Sequence, residues 1–396
     1  MSIQKILFTE TDGQTLQRLM QQLADSHDDW EIVYVSDASA ALELLPQRDF
    51  STVIASFGTD QENCEQFLQA VQKRAPAAVR YALLPEQSDI NGADFPKAAY
   101  QCFPLHCTPA ELEAAIQRGL GVWQRCNESP GLAALLSNLH KIPTPPTLYF
   151  NIREELGSPD SDARSIAKII GHDPSLSAKV LKVANSGFYA LPGSVTAIHE
   201  AISFMGTDTI TSLVLASHTF DRMPAPGFNL DSMWQHSLMV AALARHIAIE
   251  EGGDRLTVNT AGVAGLLHDI GQLTLLSNVP ELYQPMLRQA GGNEMALLDL
   301  EREQFGVGHP ELGSYVLGLW SLPDAVVEAV ARHHDYPGGD GQSASLINTA
   351  VFSAEWMLQE FPVHDQAGQW SEQDCPIDAS PERIGGWRQI CEQLTQ

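Results

Sequence analysis

Residues 265–272 read Gly265-Leu266-Leu267-His268-Asp269-Ile270-Gly271-Gln272, and this stretch decides how the larger part of the chain is interpreted. Apolar residues at helical spacing precede the His-Asp pair, and Gly271 stands where a helix could end in a left-handed conformation. A buried imidazole and a buried carboxylate both need partners. A divalent cation is one such partner, since both groups are good metal ligands. A mutual hydrogen bond or a helix cap is the alternative, and an isolated pair favours it.

The composition limits the class of protein. A length of 396 residues predicts two or three domains, and a net charge of −26 argues against binding to nucleic acid or to an anionic membrane surface. No apolar run reaches the roughly 18 residues that cross a bilayer, and the N-terminus is too acidic for a secretory signal. The six cysteines form no CxxC pair and predict free thiols. We therefore expect a cytoplasmic protein.

Strand-like and helix-like segments alternate over the first 123 residues. Apolar runs predict strands at residues 5–8, 30–35, 50–55, 79–84 and 100–104, with amphipathic helices between them and a closing helix over residues 109–123. This alternation, with short loops, predicts a doubly wound α/β domain in which helices cover both faces of a parallel sheet. The order and lengths of the elements resemble those of a response-regulator receiver domain.

The resemblance breaks at the positions that carry receiver chemistry. In that family, acidic residues after the first strand hold Mg²⁺, an Asp after the third strand accepts the phosphoryl group, and a Lys after the fifth strand contacts it. The corresponding positions here are Glu10-Thr11, Ser56, Leu84 at the end of the fourth strand, and Leu105-His106. We therefore predict a receiver-like domain that cannot be phosphorylated. Phosphorylation at Ser56 or Asp60 is the disfavoured alternative, because a weak nucleophile needs an activating neighbour.

A polar segment at residues 125–130 predicts the domain boundary, between a receiver-like domain of residues 1–126 and a second domain of residues 131–396. Helical periodicity dominates from Leu148 onwards, which predicts a larger all-α helical bundle. Within it, Asp173-Pro174 predicts the start of a helix and Asn185-Ser186-Gly187 the end of one.

Several short blocks in this second region follow one another in the order known from a single family. They are Asp173-Pro174, residues 184–188 (ANSGF), 201–206 (AISFMG), 265–271 (GLLHDIG), 306–309 (GVGH), 320–323 (WSLP) and His333-His334. Together they resemble the HDOD domain, a branch of the HD superfamily that occurs in bacterial signalling proteins and is related to the HD-GYP enzymes.

The resemblance implies a candidate metal site. In HD phosphohydrolases, histidines from several helices and the His-Asp pair surround one or two metals, and a final Asp completes the site. The positions that match here are His236, His268, Asp269, His309, His333 and His334. Iron, manganese or zinc would be the cofactor, and Asp269 would be the catalytic candidate if the protein is an enzyme. His246 is predicted to be a surface or packing residue.

This second resemblance is also incomplete. Val351 stands where the final Asp is expected, and Glu355, one helical turn further on, could substitute only if the helix is rotated. Gln272 replaces a lysine of the HD-GYP enzymes, and residues 333–338 are shorter than the HD-GYP motif that reads a cyclic dinucleotide. A site without its acid binds metal more weakly. The sequence therefore leaves metal occupancy open and disfavours hydrolysis.

The sequence favours a bacterial signal-transduction protein, in which the receiver-like domain is coupled to an HDOD output domain that binds a protein partner or a small ligand such as a nucleotide. The alternative is a metal-dependent phosphohydrolase of a nucleotide or cyclic dinucleotide. A DNA-binding regulator is disfavoured by the acidic composition. The sequence does not identify the partner or the signal, and a homo-oligomer stays open.

Overall fold

The computed structural model describes residues 3–10, 15–56, 61–85, 96, 98–139, 145–185, 195–222, 228–320, 322–335, 345–359 and 381–395. The chain divides into two compact units. Unit 1 comprises residues 1–144, 305–307 and 315–322, and unit 2 comprises residues 145–304, 308–314 and 323–396. The boundary predicted at residues 126–131 falls within unit 1, between two consecutive helices.

Unit 1 is built on a five-stranded parallel sheet with the strand order β2-β1-β3-β4-β5. The strands are Gln4–Glu10 (β1), Trp30–Val35 (β2), Phe50–Ser56 (β3), Val79–Leu84 (β4) and Gln101–Pro104 (β5). The helices are Thr15–Ser26 (α1), Ala38–Leu44 (α2), Gln61–Arg74 (α3), Pro109–Glu128 (α4) and Pro130–Asn138 (α5). This strand order is the flavodoxin-like form of the doubly wound fold, so the predicted α/β class is confirmed.

The central strands are apolar because helices cover both faces of the sheet. Ile6, Leu7 and Phe8 are consecutive on β1 and all are buried, and every residue of β3 is buried. Tyr81 on β4 anchors helix α4, since its hydroxyl donates to the carbonyl oxygen of Ala115 at 2.7 Å. Gly119 on α4 lies against this hydroxyl, and a Cβ there would lie 2.7 Å from it.

The predicted phosphoacceptor position lies at the end of β3. Ser56 is buried and pairs in register with Glu10 on β1. Leu84 ends β4 beside Pro104. Thr11 and Asp60 lie outside the described residues. The loss of phosphorylation therefore stays a prediction.

The remaining helices confirm the predicted all-helical region. They are Thr147–Leu156 (α6), Ala163–Ile170 (α7), Pro174–Ala184 (α8), Ile198–Met205 (α9), Thr207–Arg222 (α10), Leu230–Glu250 (α11), Arg255–Leu267 (α12), Ile270–Asn278 (α13), Pro280–Ala290 (α14), Glu294–Phe305 (α15), His309–Leu319 (α16), Asp324–Ala331 (α17), Leu346–Gln359 (α18) and Pro381–Thr395 (α19). Among the described residues, no helix combines the length and apolar character needed to cross a bilayer.

The predicted helix start at Asp173 is confirmed, because its carboxylate caps α8 by accepting from the backbone N–H of Leu176 at 3.0 Å. Asn185 follows the same helix and is its C-cap. Its amide also pairs with both backbone groups of Val195, at 2.7 Å each. Ser186 and Gly187 lie outside the described residues.

Helices α11, α12 and α18 form the centre of unit 2. Small residues let α11 and α12 approach closely: a Cβ at Gly265 would lie 2.9 Å from the Cα of Ala241. This close packing holds the end of α12, and therefore His268, against the side of α11.

Candidate metal centre

Six helix ends and helix faces converge on one cluster. His236 lies within α11, His268 and Asp269 lie between α12 and α13, and His309 opens α16. His333 and His334 follow α17, and Glu355 lies on α18. All six residues predicted from the sequence are therefore brought together, with one further acid. His246 belongs to neither of the two ligand groups found among the described residues.

Gly271 corrects one prediction. It does not end the helix in a left-handed conformation: α12 ends at Leu267, and Gly271 is the second residue of α13. Glycine is needed there because the backbone of α16 approaches closely. An ideal Cβ at Gly271 would lie 2.0 Å from the carbonyl oxygen of His309.

The first ligand group consists of His236, His268 and Glu355. Glu355 Oε2 lies 3.0 Å from His236 Nε2 and 3.1 Å from His268 Nε2. The Nδ1–H of His268 donates to the carbonyl oxygen of Gly265 at 2.7 Å, an assignment that leaves a lone pair on Nε2. The lone pair faces Asp269 Oδ2 at 3.2 Å as well as Glu355.

The second group consists of His309, His333 and His334. His309 Nε2 lies 3.2 Å from His333 Nε2 and 3.1 Å from His334 Nε2. His333 Nδ1 donates to the carbonyl oxygen of Val330 at 2.7 Å, so its Nε2 also carries a lone pair. The three ring nitrogens therefore point at a common centre.

Asp269 lies between the two groups. Its Oδ2 is 4.0 Å from His236 Nε2 in the first group, and its Oδ1 is 3.6 Å from His309 Nε2 in the second. Each carboxylate oxygen thus faces one group. Gln272 holds this orientation, because its amide donates to Asp269 Oδ1 at 2.9 Å.

Glu355 corrects the expectation that the final acid is lost. Val351 occupies the expected place and is fully buried, whereas Glu355 carries its carboxylate into the cluster. The two residues are four positions apart and share one face of α18. An acid one turn along the same face can therefore supply the oxygen that position 351 does not.

Burial lowers the pKa values of the imidazoles, and the nearby carboxylates oppose this effect. For His309 the charges of Glu301 and Asp269 prevail and raise the pKa to about 9. The carboxylates of Glu355 and Asp269 likewise raise the pKa values of His236 and His268. Without a cation, the buried negative charge is therefore balanced by protons on these rings.

The other two imidazoles shift the opposite way. Burial and the neighbouring imidazoles hold the pKa of His333 well below its usual range and lower that of His334 to about 4. Burial together with the charges of Asp269 and Glu355 raises the pKa of Glu294, a half-buried residue at the start of α15, to about 8. Asp269 and Glu355 stay ionised, because the neighbouring imidazoles lower the pKa values of both carboxyl groups against the effect of burial. The cluster therefore combines two neutral imidazoles, His333 and His334, with these ionised carboxylates, and both kinds of group are donors for divalent cations.

One buried atom tests whether a cation fits. His268 Nε2 is fully buried and has no hydrogen-bond partner among the described residues, although two carboxylate oxygens lie within 3.2 Å. A lone pair facing two carboxylates is unfavourable unless a proton or a metal cation lies between them. The donor set of the first group therefore fits a divalent cation, and the three ring nitrogens of the second group are close enough together to hold one as well.

Sequence reasoning missed the acids around the ligands. Glu301 is fully buried and accepts from His309 Nδ1 at 2.8 Å, and Glu294 accepts from Gln272 at 3.3 Å. Both lie on α15, where no motif marks them. The one signal available was the presence of three glutamates, Glu294, Glu301 and Glu303, on the helix directly before His309.

Comparison with known proteins identifies the family of the domain that carries this cluster. The model of the HDOD domain matches residues 142–336. The chain carries an HDOD domain. The match contains five of the predicted ligands to the cluster and the Asp269 that lies between its two groups, and Glu355 lies beyond its end. The matched residues lie outside residues 1–126, so the receiver-like character of that part stays a prediction.

Solved structures share the fold over about two thirds of this chain. An HDOD domain protein of unknown function from Geobacter sulfurreducens is 22% identical, with a TM-score of 0.53 over 69% of this chain and 93% of that one. A candidate phosphohydrolase from Shewanella amazonensis SB2B is 21% identical, with a TM-score of 0.50 over 66% of this chain and 98% of that one.

An uncharacterized protein of Treponema pallidum (strain Nichols) is 23% identical over 221 residues. The match covers 56% of this chain and 43% of the relative. The chain therefore spans less than half the length of this curated relative.

Proposed function

We propose that the HDOD domain binds two divalent cations and hydrolyses a phosphoester of a nucleotide or cyclic dinucleotide. The position of Glu355 carries the proposal, because its carboxylate lies 3.0 Å from His236 and 3.1 Å from His268. The sequence disfavours hydrolysis because an acid is missing at position 351. Glu355 supplies a carboxylate to the cluster in its place.

Two sets of residues would each bind one cation. His236, His268 and Glu355 would hold one cation, and His309, His333 and His334 the other, with Asp269 between them. When bound, such cations activate water and stabilise negative charge on a phosphoester. Iron, manganese and zinc all suit imidazole and carboxylate donors.

Gln272 has a different role from the lysine that the HD-GYP enzymes carry at this position. Its amide donates to Asp269 Oδ1 at 2.9 Å and to Glu294 Oε2 at 3.3 Å, and both acceptors are carboxylates of the protein. Gln272 therefore orients Asp269 and brings no positive charge to a substrate phosphate. We infer that the cations would supply the positive charge at the site.

The test measures metal content and phosphodiester turnover on the full chain. The wild-type protein, stripped and reloaded with manganese, iron or zinc, is expected to hold two equivalents and to hydrolyse bis-p-nitrophenyl phosphate or a cyclic dinucleotide. Glu355→Gln and the double variant His268→Ala, Asp269→Ala should lose both properties. Glu328→Gln, an exposed acid on α17, is the matched control and should keep both. Equal turnover in wild type and double variant would contradict the proposal.

A second candidate function is a signalling output that acts by binding a protein partner. The observation that favours it is the doubly wound sheet of unit 1, which ends β3 in a buried Ser56 at the predicted acceptor position. Such a domain would serve in recognition rather than in phosphoryl transfer. Two bound cations without turnover on any phosphoester would favour this second function.

A further inference from the structure

Three ligand imidazoles have their Nδ1–H groups held by the protein, but the acceptors differ. His268 and His333 donate to the backbone carbonyl oxygens of Gly265 and Val330, at 2.7 Å each. His309 donates instead to a carboxylate, Glu301 Oε2, at 2.8 Å. The second group therefore contains an imidazole backed by a negative charge.

Glu301 is itself rigidly placed. Its Oε2 also accepts from the backbone N–H of His309 at 2.7 Å, and its Oε1 accepts from the hydroxyl of Tyr283. Both Glu301 and Tyr283 are fully buried. The bonds connect α14, α15 and the first residue of α16, so the carboxylate cannot turn away from the ring of His309 without breaking three hydrogen bonds.

We propose that Glu301, held by Tyr283, is a positioning residue that makes the three-imidazole group the tighter of the two cation sites. The inference rests on the proposed function, since it assumes that both groups bind cations. Glu301 keeps the proton of His309 on Nδ1 and the lone pair on Nε2, where it faces the centre of the group. Its negative charge also offsets the positive charge that a group of three neutral imidazoles would acquire with a cation.

Among the described residues, no carboxylate outside the first group supports its imidazoles in this way. His268 is held only by a peptide carbonyl oxygen, and His236 contacts Glu355, which is itself a member of the group. Removing a carboxylate that backs a ligand histidine typically costs roughly 10–100-fold in metal affinity. We therefore expect Glu301 to act on one class of site and to leave the other unchanged.

The experiment titrates the metal-free full-length protein with Co²⁺ and follows both heat and the visible spectrum, which reports the ligands of each ion. Wild type should show two classes of site. Glu301→Gln should weaken the tighter class by roughly 10–100-fold and alter its spectrum, and Tyr283→Phe should weaken the same class by less. His334→Ala should abolish that class and His236→Ala the other, which assigns each class to its group.

Glu303→Gln is the matched control, because Glu303 is exposed on the same helix. This variant should bind Co²⁺ like the wild type.

If Glu301 only stabilised the packing of the helices, its variant would lower the unfolding temperature yet leave both Co²⁺ affinities and spectra unchanged. This result would overturn the inference. Equal weakening of both classes would also overturn it. If Glu301→Gln does not fold, as judged by circular dichroism, Tyr283→Phe decides by the same readouts.

The two proposals fail in distinguishable ways. A wild-type protein that binds no Co²⁺ overturns the proposed function and this inference together. A wild type with two classes of site, both of unchanged affinity in Glu301→Gln and Tyr283→Phe, overturns the inference alone.

Discussion

The carbonyl oxygen of His309 lies 2.0 Å from the point that a Cβ on Gly271 would occupy. Helices α13 and α16 thus meet backbone to backbone directly beside the candidate metal site, and only glycine allows this approach. The same contact places the first residue of α16, a predicted ligand, against the helix that follows Asp269.

Gly271→Ala should therefore separate α13 from α16. We expect a loss of about 1–3 kcal/mol in the free energy of unfolding, as for other overpacked cores, together with weaker cation binding because His309 is displaced. Urea denaturation and metal content check both effects. Gly385→Ala, at an exposed helical position with nothing within 4 Å of the new Cβ, is the control and should be neutral or stabilising.

Val351→Asp should not replace Glu355. Val351 is fully buried, and an unpaired carboxylate there would be costly to desolvate. Introduced into Glu355→Gln, the new acid is expected to lower the unfolding temperature further and to restore no metal. Recovery of bound metal in the double variant would show that an acid at position 351 reaches the cluster.

Removing metal should destabilise the protein. At a free cation concentration 100 times the dissociation constant, binding contributes about 2.7 kcal/mol, which corresponds to about 5–10 °C in unfolding temperature. Chelator should lower the midpoint of a thermal scan by this amount. Imidazole ligands must be deprotonated, and the pKa of His309 is raised to about 9, so the stabilisation should shrink as the pH falls below about 9. The His268→Ala, Asp269→Ala variant should show no response to chelator.

Tyr81 should limit stability in alkali. Burial raises the pKa of its hydroxyl well above the usual range, although the charge of Arg118 opposes the shift. A pKa that is higher in the folded state contributes stability that is complete below about pH 10 and is lost as the pH rises towards the folded pKa. Tyr81→Phe should lower the free energy of unfolding by about 1 kcal/mol at neutral pH. Above about pH 10, the stability of this variant should fall less steeply with pH than that of the wild type. Identical alkaline limbs would contradict this assignment.

Acetyl phosphate with Mg²⁺ should leave unit 1 unmodified. Ser56 is buried at the end of β3, and a serine hydroxyl needs an activating base to attack a phosphoryl donor. Intact-mass and peptide mass spectrometry are expected to show no phosphoform. A phosphorylated peptide containing Ser56 or Asp60 would show that the receiver comparison is wrongly aligned.

Much of this protein could be read from its sequence because the signals are local. Strand and helix periodicities in the first 123 residues predicted the α/β class, and the sheet strands at Trp30–Val35 and Val79–Leu84 match the predicted segments. The resemblance to the HD superfamily, which the His-Asp pair and the later histidines carry, predicted six members of the cluster.

Tertiary structure alone decided the rest. Whether the side chain at position 351 or the one at position 355 reaches the cluster depends on where α18 lies along α11 and α12, which no local pattern specifies. The roles of Glu301 and Tyr283 arise where α14, α15 and α16 meet, and the need for Gly271 arises from the backbone of a helix 38 positions later in the chain. Residue types and periodicity determine which groups are available, whereas packing between distant segments determines which of them share one buried site.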